Sequence, residues 1–441
     1  MQRKPLFVIG LFMLAALVLA GCPAPAAPAP TGEAAAPAEP GAVTVQAMLA
    51  SNPREFDNAA VAYCAEQTGI NIEVINGPES ATDRLALYLQ FFGAQSGDID
   101  IIQMDVIWPG ILAEHLVDLN PYLEQEGVDI GMYFDRIVQN NTVDGALTGL
   151  PWFTDAGILY YRSDLLEKYG FDGPPETWAE LDEMATAIQE GERAEGNPDF
   201  WGFVWQGNSY EGLTCDALEW QVSWGGGEIV EPDGTISINN PQAAAAFDMA
   251  ASWVGRISPP GVVSYQEEDA RGVWQAGNAA FMRNWPYAYA LGNAEDSVIR
   301  DAFGVVPLPK GEGPDARNAD TLGGWQMAVS RYSSNVDAAA QVAICMAGME
   351  GQKIRATQGS MLPTIGALYE DEDVLAANPF FSQMYDVFAG GAVARPSTVT
   401  GELYNEVSTI YFTEVNRTLT GQQTGQQAVE NIEAQLQDLL R

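Results

Sequence analysis

Along most of this chain, apolar positions switch between a two-residue and a three-to-four-residue period, which predicts a strand–helix series. Residues 43–49 predict a first core strand. Asn52-Pro53 then opens a helix through Phe56, Ala59, Ala60 and Cys64, closed by Gly69. A second strand is expected at 70–75. Thr82 caps the next helix, carrying Leu85, Leu87, Leu89 and Phe92 and stopped by Gly93; residues 99–104 form a third strand with Asp105 at its carboxyl end. This order implies a parallel, doubly wound sheet, in which ligands bind beyond the carboxyl ends of the strands. Asp105 is therefore a candidate by topology, and Arg84, near its helix start, is a second unless it forms a surface ion pair.

The stretch 149–166, GLPWFTDAGILYYRSDLL, organises the middle of the chain. A turn leads into Trp152, Phe153 and Asp155, then into the apolar, aromatic run Ile158-Leu159-Tyr160-Tyr161, which predicts a buried strand. Ser163 is placed to cap a short helix. A polar and aromatic cluster at the mouth of a core strand suits a ligand cleft; an ordinary strand entry with a satisfied Asp is the alternative.

A second alternating region comes next. Thr177 caps a helix through Leu181, Met184 and Ile188; 203–205 is a strand; 210–224 is helical and ends at Gly225-Gly226-Gly227. That triplet matches neither GxxxxGK[ST] nor a strand-borne GxGxxG, so no phosphate loop is predicted. Residues 240–254 form an Ala-rich helix, 279–282 a strand, and Trp285 sits at a strand-to-helix corner because Pro286 suits a first helical turn. Strands at 303–308 and 327–329, the latter after Gly323-Gly324-Trp325, flank a helix at 336–349 and a mostly helical remainder interrupted near 390–397. Val429, Ile432, Leu436 and Leu440 mark the last helix.

The N-terminus changes the picture. Arg3 and Lys4 precede an apolar run from 6 to 20 that ends in Leu19-Ala20-Gly21-Cys22, the form of an export signal, residues 1–21. Residues 22–42 are nearly all Ala, Pro, Gly, Glu and Thr, a composition that buries no core and predicts a flexible tether. The ending resembles the lipobox of bacterial lipoproteins, which implies lipidation of Cys22 and an extracytoplasmic, membrane-anchored protein.

The formal charge of −39, from 59 acidic and 20 basic residues, argues against nucleic acid and against docking on anionic lipid, because no basic patch is present to neutralise phosphates. Cys64, Cys215 and Cys345 are widely spaced with no CxxC motif, so neither a zinc site nor a disulfide framework is implied; one pair bridges or all three are buried thiols. The chain has a single histidine, His115, in an apolar helical stretch, and it is expected to be structural. No metal or other cofactor is expected.

Aromatic residues fall at corners (Trp108, Trp152, Phe153, Trp205, Trp285, Trp325) beside Glu55, Arg84, Asp105, Asp155 and Arg395. Sugars need this combination. A pyranose stacks its C–H face on an aromatic ring, and its hydroxyl rim bonds to carboxylates and to arginine forks. The bland alternative, core rings and solvated charges, is weakest for Trp285 and Trp325. A glycosidase is the competing class, with Glu55, Asp105, Asp155 and Glu211 as its pool of carboxylates.

The motifs MDVIWP (104–109), GLPWFTDAGILYYRSDLL (149–166), PPETW (174–178), GFVWQGNSYEGL (202–213), GNAAFMRNWPYAYAL (277–291) and LGGW (322–325) resemble trehalose/maltose-binding proteins, of the extracellular solute-binding family of ABC sugar importers. The resemblance runs from about residue 43 to the C-terminus. It implies an α/β, two-lobed periplasmic-binding-protein-like fold, each lobe a mainly parallel sheet flanked by helices. Residues 43–152 and 305–357 would make the first lobe, 153–304 and 358–441 the second, joined by three crossing segments. It implies no catalytic residue, and sugar contacts at Glu55, Arg84, Asp105, Phe153, Asp155, Trp285, Gly324, Trp325 and Arg395. It implies an α-linked disaccharide as ligand, an ABC permease as partner and a monomer. The family pattern carries Tyr where this chain has Phe153, which removes one hydroxyl contact and keeps glucose, another disaccharide or a glycosylated osmolyte open as ligands. Gln326 either adds a polar contact or begins the next strand.

Overall fold

The computed structural model describes residues 43–49, 54–313, 315–382, 384 and 392–441. The export signal, Cys22, the tether and the helix opening at Asn52-Pro53 lie outside the described residues. No helix among the described residues is long and apolar enough to cross a membrane.

The strands are β1 (Thr44–Leu49), β2 (Asn71–Asn76), β3 (Ile101–Asp105), β4 (Thr142–Val143), β5 (Ala146–Leu147), β6 (Leu150–Ala156), β7 (Ile158–Tyr161), β8 (Trp201–Val204), β9 (Ala279–Asn284), β10 (Gly304–Val306), β11 (Asp320–Val329) and β12 (Ala392–Val393). Two sheets carry the fold. The first has the order β12-β11-β3-β1-β2 with β6 also paired to β11; the second has the order β10-β7-β9-β8. β4 and β5 form a separate hairpin.

The first sheet begins as the strand–helix pattern predicts, since β1 pairs in parallel with β2 and β3. Its other half is mixed: β11 runs antiparallel to both β3 and β6 and parallel to β12. In the second sheet only β8 and β9 are parallel, while β7 pairs antiparallel with β9 and with β10. The two-lobed α/β class holds; the first sheet is parallel in three of its five pairings, and the second, antiparallel in two of three, departs from the mainly parallel expectation. Strand direction in the rest is decided by where the chain crosses between sheets, which no local period records.

The first crossing falls at Gly157, between β6 and β7. A Cβ there would lie 2.0 Å from Glu219 Oε1 and 2.3 Å from Arg283 Nη2, so only a bare backbone passes. β10 still belongs to the second sheet, so the return falls between Val306 and Asp320 rather than at 305. β12, drawn from the C-terminal part, pairs with β11 in the first sheet.

Both faces of the first sheet are covered. Val45, Ala47 and Leu49 face one core with Phe56, Ala60 and Cys64 of the helix Glu55–Thr68, while Met48 faces another with Leu85, Tyr88 and Phe92. The period-two alternation of β1 makes this possible. The second sheet packs on Trp178, Trp205, Trp220 and Trp253, whose rings meet largely edge to face at 5.0–6.5 Å. Trp205 is thus a core ring, its Nε1 donating to Ser258 Oγ at 3.0 Å, and not a cleft residue.

Helix starts shift slightly from expectation. Ser80, not Thr82, caps Ala81–Gly93 by accepting from the Asp83 N–H. Ser163 is the first residue of its helix, after Arg162. Thr177 caps Trp178–Ala194 in a capping box with Glu180, as expected. Gly323, Gly324 and Trp325 lie within β11 rather than before it.

Cys64 and Cys345 form a disulfide with Cα atoms 5.7 Å apart, joining the helices Glu55–Thr68 and Val336–Ala347; Cys215 is free and buried. Their separation of 281 residues closes a long loop in the unfolded chain. Replacing both cysteines by Ser is expected to lower stability by about 2–4 kcal/mol in urea unfolding, with the native far-UV spectrum kept.

Candidate functional site

Strand register builds the cleft floor. β11 aligns Trp325 with Asp105 of β3 on one side and with Phe153 of β6 on the other, and Gly323 with Asp155. The register shifts between Trp325 and Gln326, an irregularity that lets the strand bend at the cleft edge. Gly324 has φ +131°, and a Cβ on it would lie 2.7 Å from the Phe153 carbonyl oxygen, so this step admits only glycine.

The other wall comes from the second sheet and its helices. Trp285 and Tyr287 follow β9, Tyr210 and Glu211 open the helix Glu211–Ser223, and Glu267, Glu268 and Arg271 lie on Glu267–Gln275. The Trp285 ring packs against the bare backbone of Gly323, where a Cβ would meet ring carbons at 3.0–3.3 Å. Between the walls lies a cavity of about 450 Å³, within the ordinary range for a small-molecule site.

Each aromatic wall is backed by a guanidinium. Arg84 stands 4.5 Å from the Trp325 ring centroid, Arg283 4.1 Å from that of Trp285, and Arg355 4.5 Å from that of Phe153 and 3.5 Å from that of Trp152. These cation–π contacts hold the rings in place from one side. Trp108 meets Trp325 edge-on at 5.4 Å and is itself buried, as is Trp152, so both are supports and not cleft walls.

Buried charge is arranged around these rings. Arg395 Nη1 donates to Glu211 Oε1 at 2.8 Å and Nη2 to Asp105 Oδ1 at 3.2 Å. Glu211 also accepts from the hydroxyls of Tyr404 and Ser408. Beneath Trp285, Arg283 donates to Glu219 and to Gln206 and lies 3.3 Å from Asp216. Burial pushes the Asp216 carboxyl well up despite Arg283. Burial also raises Asp105 to about 6, against the opposing charge of Arg395. Asp155 is raised to about 8 by burial, only partly offset by Arg355, Arg283 and Arg54. Buried Arg84 Nη1 and Arg395 Nε have no hydrogen-bond partner among the described residues. Both atoms are themselves shielded from solvent, so each carries the desolvation cost of an unpaired buried polar group.

Of the residues singled out in the sequence, Arg84, Asp105, Phe153, Asp155, Trp285, Gly324, Trp325 and Arg395 all line this cavity. Glu55 does not: it is exposed on the first helical turn, and its neighbour Arg54 lines the cavity in its place. The extended backbone of Arg54, at φ −77° and ψ 167°, takes its side chain off the helical path. Gln326 is buried and accepts from Asn141 Nδ2 at 2.9 Å, so it belongs to the strand's packing. His115 stacks on Phe92 with ring centroids 5.3 Å apart and bonds to the Tyr332 hydroxyl, a structural role. Glu79, Tyr210, Glu267, Glu268 and Tyr287 also line the cavity, and sequence reasoning misses them. Tyr287 lies inside the NWPYAY run, but nothing in the local pattern of the acidic run 267–269 shows which carboxylates turn inward. No cluster of three His, Cys, Asp or Glu suited to a metal occurs among the described residues.

Two lobes around a cleft that combines rings, arginines and carboxylates define a small-molecule binding protein. Residues 49–353 match the family model of the bacterial extracellular solute-binding proteins, and the chain belongs to that family. It is 50% identical over 372 residues to a probable ABC transporter-binding protein of Deinococcus radiodurans, covering 84% of this chain and 87% of that one. It is 25% identical over 237 residues to the maltodextrin-binding protein MdxE of Bacillus subtilis, covering 51% and 50%. Among solved structures, the maltose-bound MalE3 of T. maritima superposes with a TM-score of 0.84 at 38% identity, covering 90% of this chain and all (100%) of that one.

The raised Asp155 carboxyl has a measurable consequence. Its unfolded value is near 3.8 and its folded value about 8, so between these the folded state holds a proton that the unfolded state has lost. Stability is therefore lost as pH rises through this window, by up to about 1.4 kcal/mol per pH unit from this group. Asp155→Asn is expected to flatten the fall in thermal midpoint between pH 5 and pH 8, measured by calorimetry on the sugar-free protein.

Proposed function

We propose that this solute-binding protein captures an α-linked disaccharide of the trehalose/maltose class between its lobes and delivers it to the permease of an ABC sugar importer. The observation that carries this reading is the pairing of Trp285 and Trp325, one from each lobe, on a single cavity whose remaining lining includes arginines and carboxylates. Rings take the C–H faces of the sugar, Arg84 and Arg395 donate to its oxygens, and Asp155 and Asp105 accept from its hydroxyls. Phe153, beside them, offers a ring without a hydroxyl. Even with the protonated Asp155 left out, five acidic residues, Glu79, Asp105, Glu211, Glu267 and Glu268, outnumber four arginines, Arg54, Arg84, Arg271 and Arg395, in the lining, which favours a neutral ligand over an anionic one. The maltose-bound MalE3 and the maltodextrin-binding MdxE support the sugar class.

Capture breaks no bond. The open form exposes two half-sites, and contacts made only on closure shift the balance toward the closed form. Of the four carboxylates a glycosidase would draw on, Glu55 is exposed outside the cavity, Glu211 already accepts from Arg395, Tyr404 and Ser408, and Asp105 is paired with Arg395. The first lobe, built on residues 43–156 and the return through β11, and the second, built on 158–306 and the C-terminal helices, move as the two jaws. Residues 1–21 export the chain, and Cys22, lipidated, anchors it as an extracytoplasmic monomer on the tether 22–42. A disulfide between Cys64 and Cys345 fits an oxidising compartment outside the cytoplasm.

Titration of intrinsic tryptophan fluorescence with trehalose, maltose, sucrose and glucose tests the assignment. Saturable change is expected with trehalose or maltose, and Trp285→Ala and Trp325→Ala are each expected to weaken binding by about 30-fold, as for a buried aromatic anchor. Release of glucose from either disaccharide by the purified protein would overturn the binding role in favour of hydrolysis.

A further inference from the structure

Arg54 immediately precedes the helix Glu55–Thr68 of the first lobe, yet its guanidinium is held by the second. Nη2 lies 3.2 Å from Glu268 Oε1, and the guanidinium carbon stands 4.1 Å from the Tyr287 ring centroid. The receiving side is already fixed. The Tyr287 hydroxyl donates to the same Glu268 oxygen at 2.7 Å, and Arg271 Nε donates to the other at 2.8 Å. Burial works to raise the Glu268 carboxyl, but the bonds from Arg271 and Tyr287 and the charges of Arg271 and Arg54 hold it below its ordinary value, so it meets Arg54 as a full anion. Arg54 and Glu268 side chains are each 34% exposed, which places the pair at the cavity mouth, in contact with both solvent and the site. Arg54, Glu268, Arg271 and Tyr287 all line the cavity.

We propose that Arg54, Tyr287 and Glu268 form a clamp across the cleft that holds a closed population and sets how long a captured solute is retained. It rests on the reading of the protein as a receptor that closes on its ligand. The clamp's contacts exist only when the lobes meet, so they stabilise the closed state and leave each separate lobe unaffected. Residues that act after encounter change release more than capture. A partly exposed ion pair together with a stacked cation supports an effect of about tenfold on the release rate. Arg54 is a positioning residue: it joins the walls and is not assigned a bond to the solute. Lys at this position keeps the charge but not the planar stack, so Arg54→Lys is expected to fall between Ala and Arg.

Two measurements on the full chain test this. In the first, spin labels at Glu124→Cys and Glu183→Cys, helical positions in the two lobes, report inter-lobe distances without sugar. The unsubstituted clamp is expected to show a short-distance population that Arg54→Ala and Glu268→Gln each reduce, while the double variant loses no more than either single one. An unchanged population, additive losses, or a sugar-free protein that is fully open with the clamp intact would overturn the proposal. In the second, stopped-flow fluorescence with maltose and trehalose is expected to show release about tenfold faster in Arg54→Ala with the association rate nearly unchanged. Equal effects on both rates, or on the unfolding midpoint, would point to a merely structural contact and overturn it. Failure of the unsubstituted protein to bind either sugar, with the distance shifts as expected, counts against the disaccharide and leaves the clamp standing.

Discussion

The antiparallel ladder between β6 and β11 is the constraint that shapes the cleft. It sets Phe153 beside Trp325 and Asp155 beside Gly323, and β3 adds Asp105 on the other side of Trp325. Because side chains alternate with a period of two, these residues share one face of the sheet. A slip of one residue would turn that face inward and present the opposite set to the cleft. Gly324 guards the register, since its conformation and the 2.7 Å approach of the Phe153 carbonyl to any Cβ exclude other residues. The same strand pair ends at Gly157, so the element that shapes the floor is also the one that leaves for the second sheet.

Arginines pin the remaining pieces. Arg283 gathers Glu219, Gln206 and Asp216 under Trp285, and Arg395 joins Asp105 of the first sheet to Glu211 of the second lobe's helix. Charges this deep are stable only as hydrogen-bonded groups, and removing one partner leaves the other stranded. Their placement gives specificity of position more than net stability. They fix rings from behind, and Arg84 and Arg395 also line the site. Asp155 stays neutral to about pH 8 for the complementary reason, that burial outweighs the distant positive charges.

The arrangement divides labour between lobes. The first contributes a floor of strand residues in fixed register, and the second contributes Trp285 and a helical wall whose position depends on contacts across the cleft. The Glu211 N–H bond to Thr82 Oγ1 at 3.3 Å and the Arg54–Glu268 pair are among these. Such contacts are polar, so they open at modest cost, whereas the apolar cores on either side of each sheet do not.

The sequence by itself determined the elements and most of the cleft's inventory. Periodicity located β1, β2, β3 and the long helices to within a few residues, because burial of one face leaves a local trace. Motifs such as TDAGILYY and NWPYAY carried Asp155 and Trp285 with them. Tertiary structure alone decided the rest. Whether β7 and β11 run parallel or antiparallel depends on the crossings at Gly157 and after Val306, and that Cys64 meets Cys345 across 281 residues depends on the packing of two distant helices. Trp108, Trp152 and Trp205 look like Trp285 in sequence but are core rings, since exposure is a property of what packs against a residue. Glu55 and Arg54 differ by one position, and the chain's entry angle into the helix, not either residue's chemistry, turned the arginine toward the cleft and the carboxylate toward water.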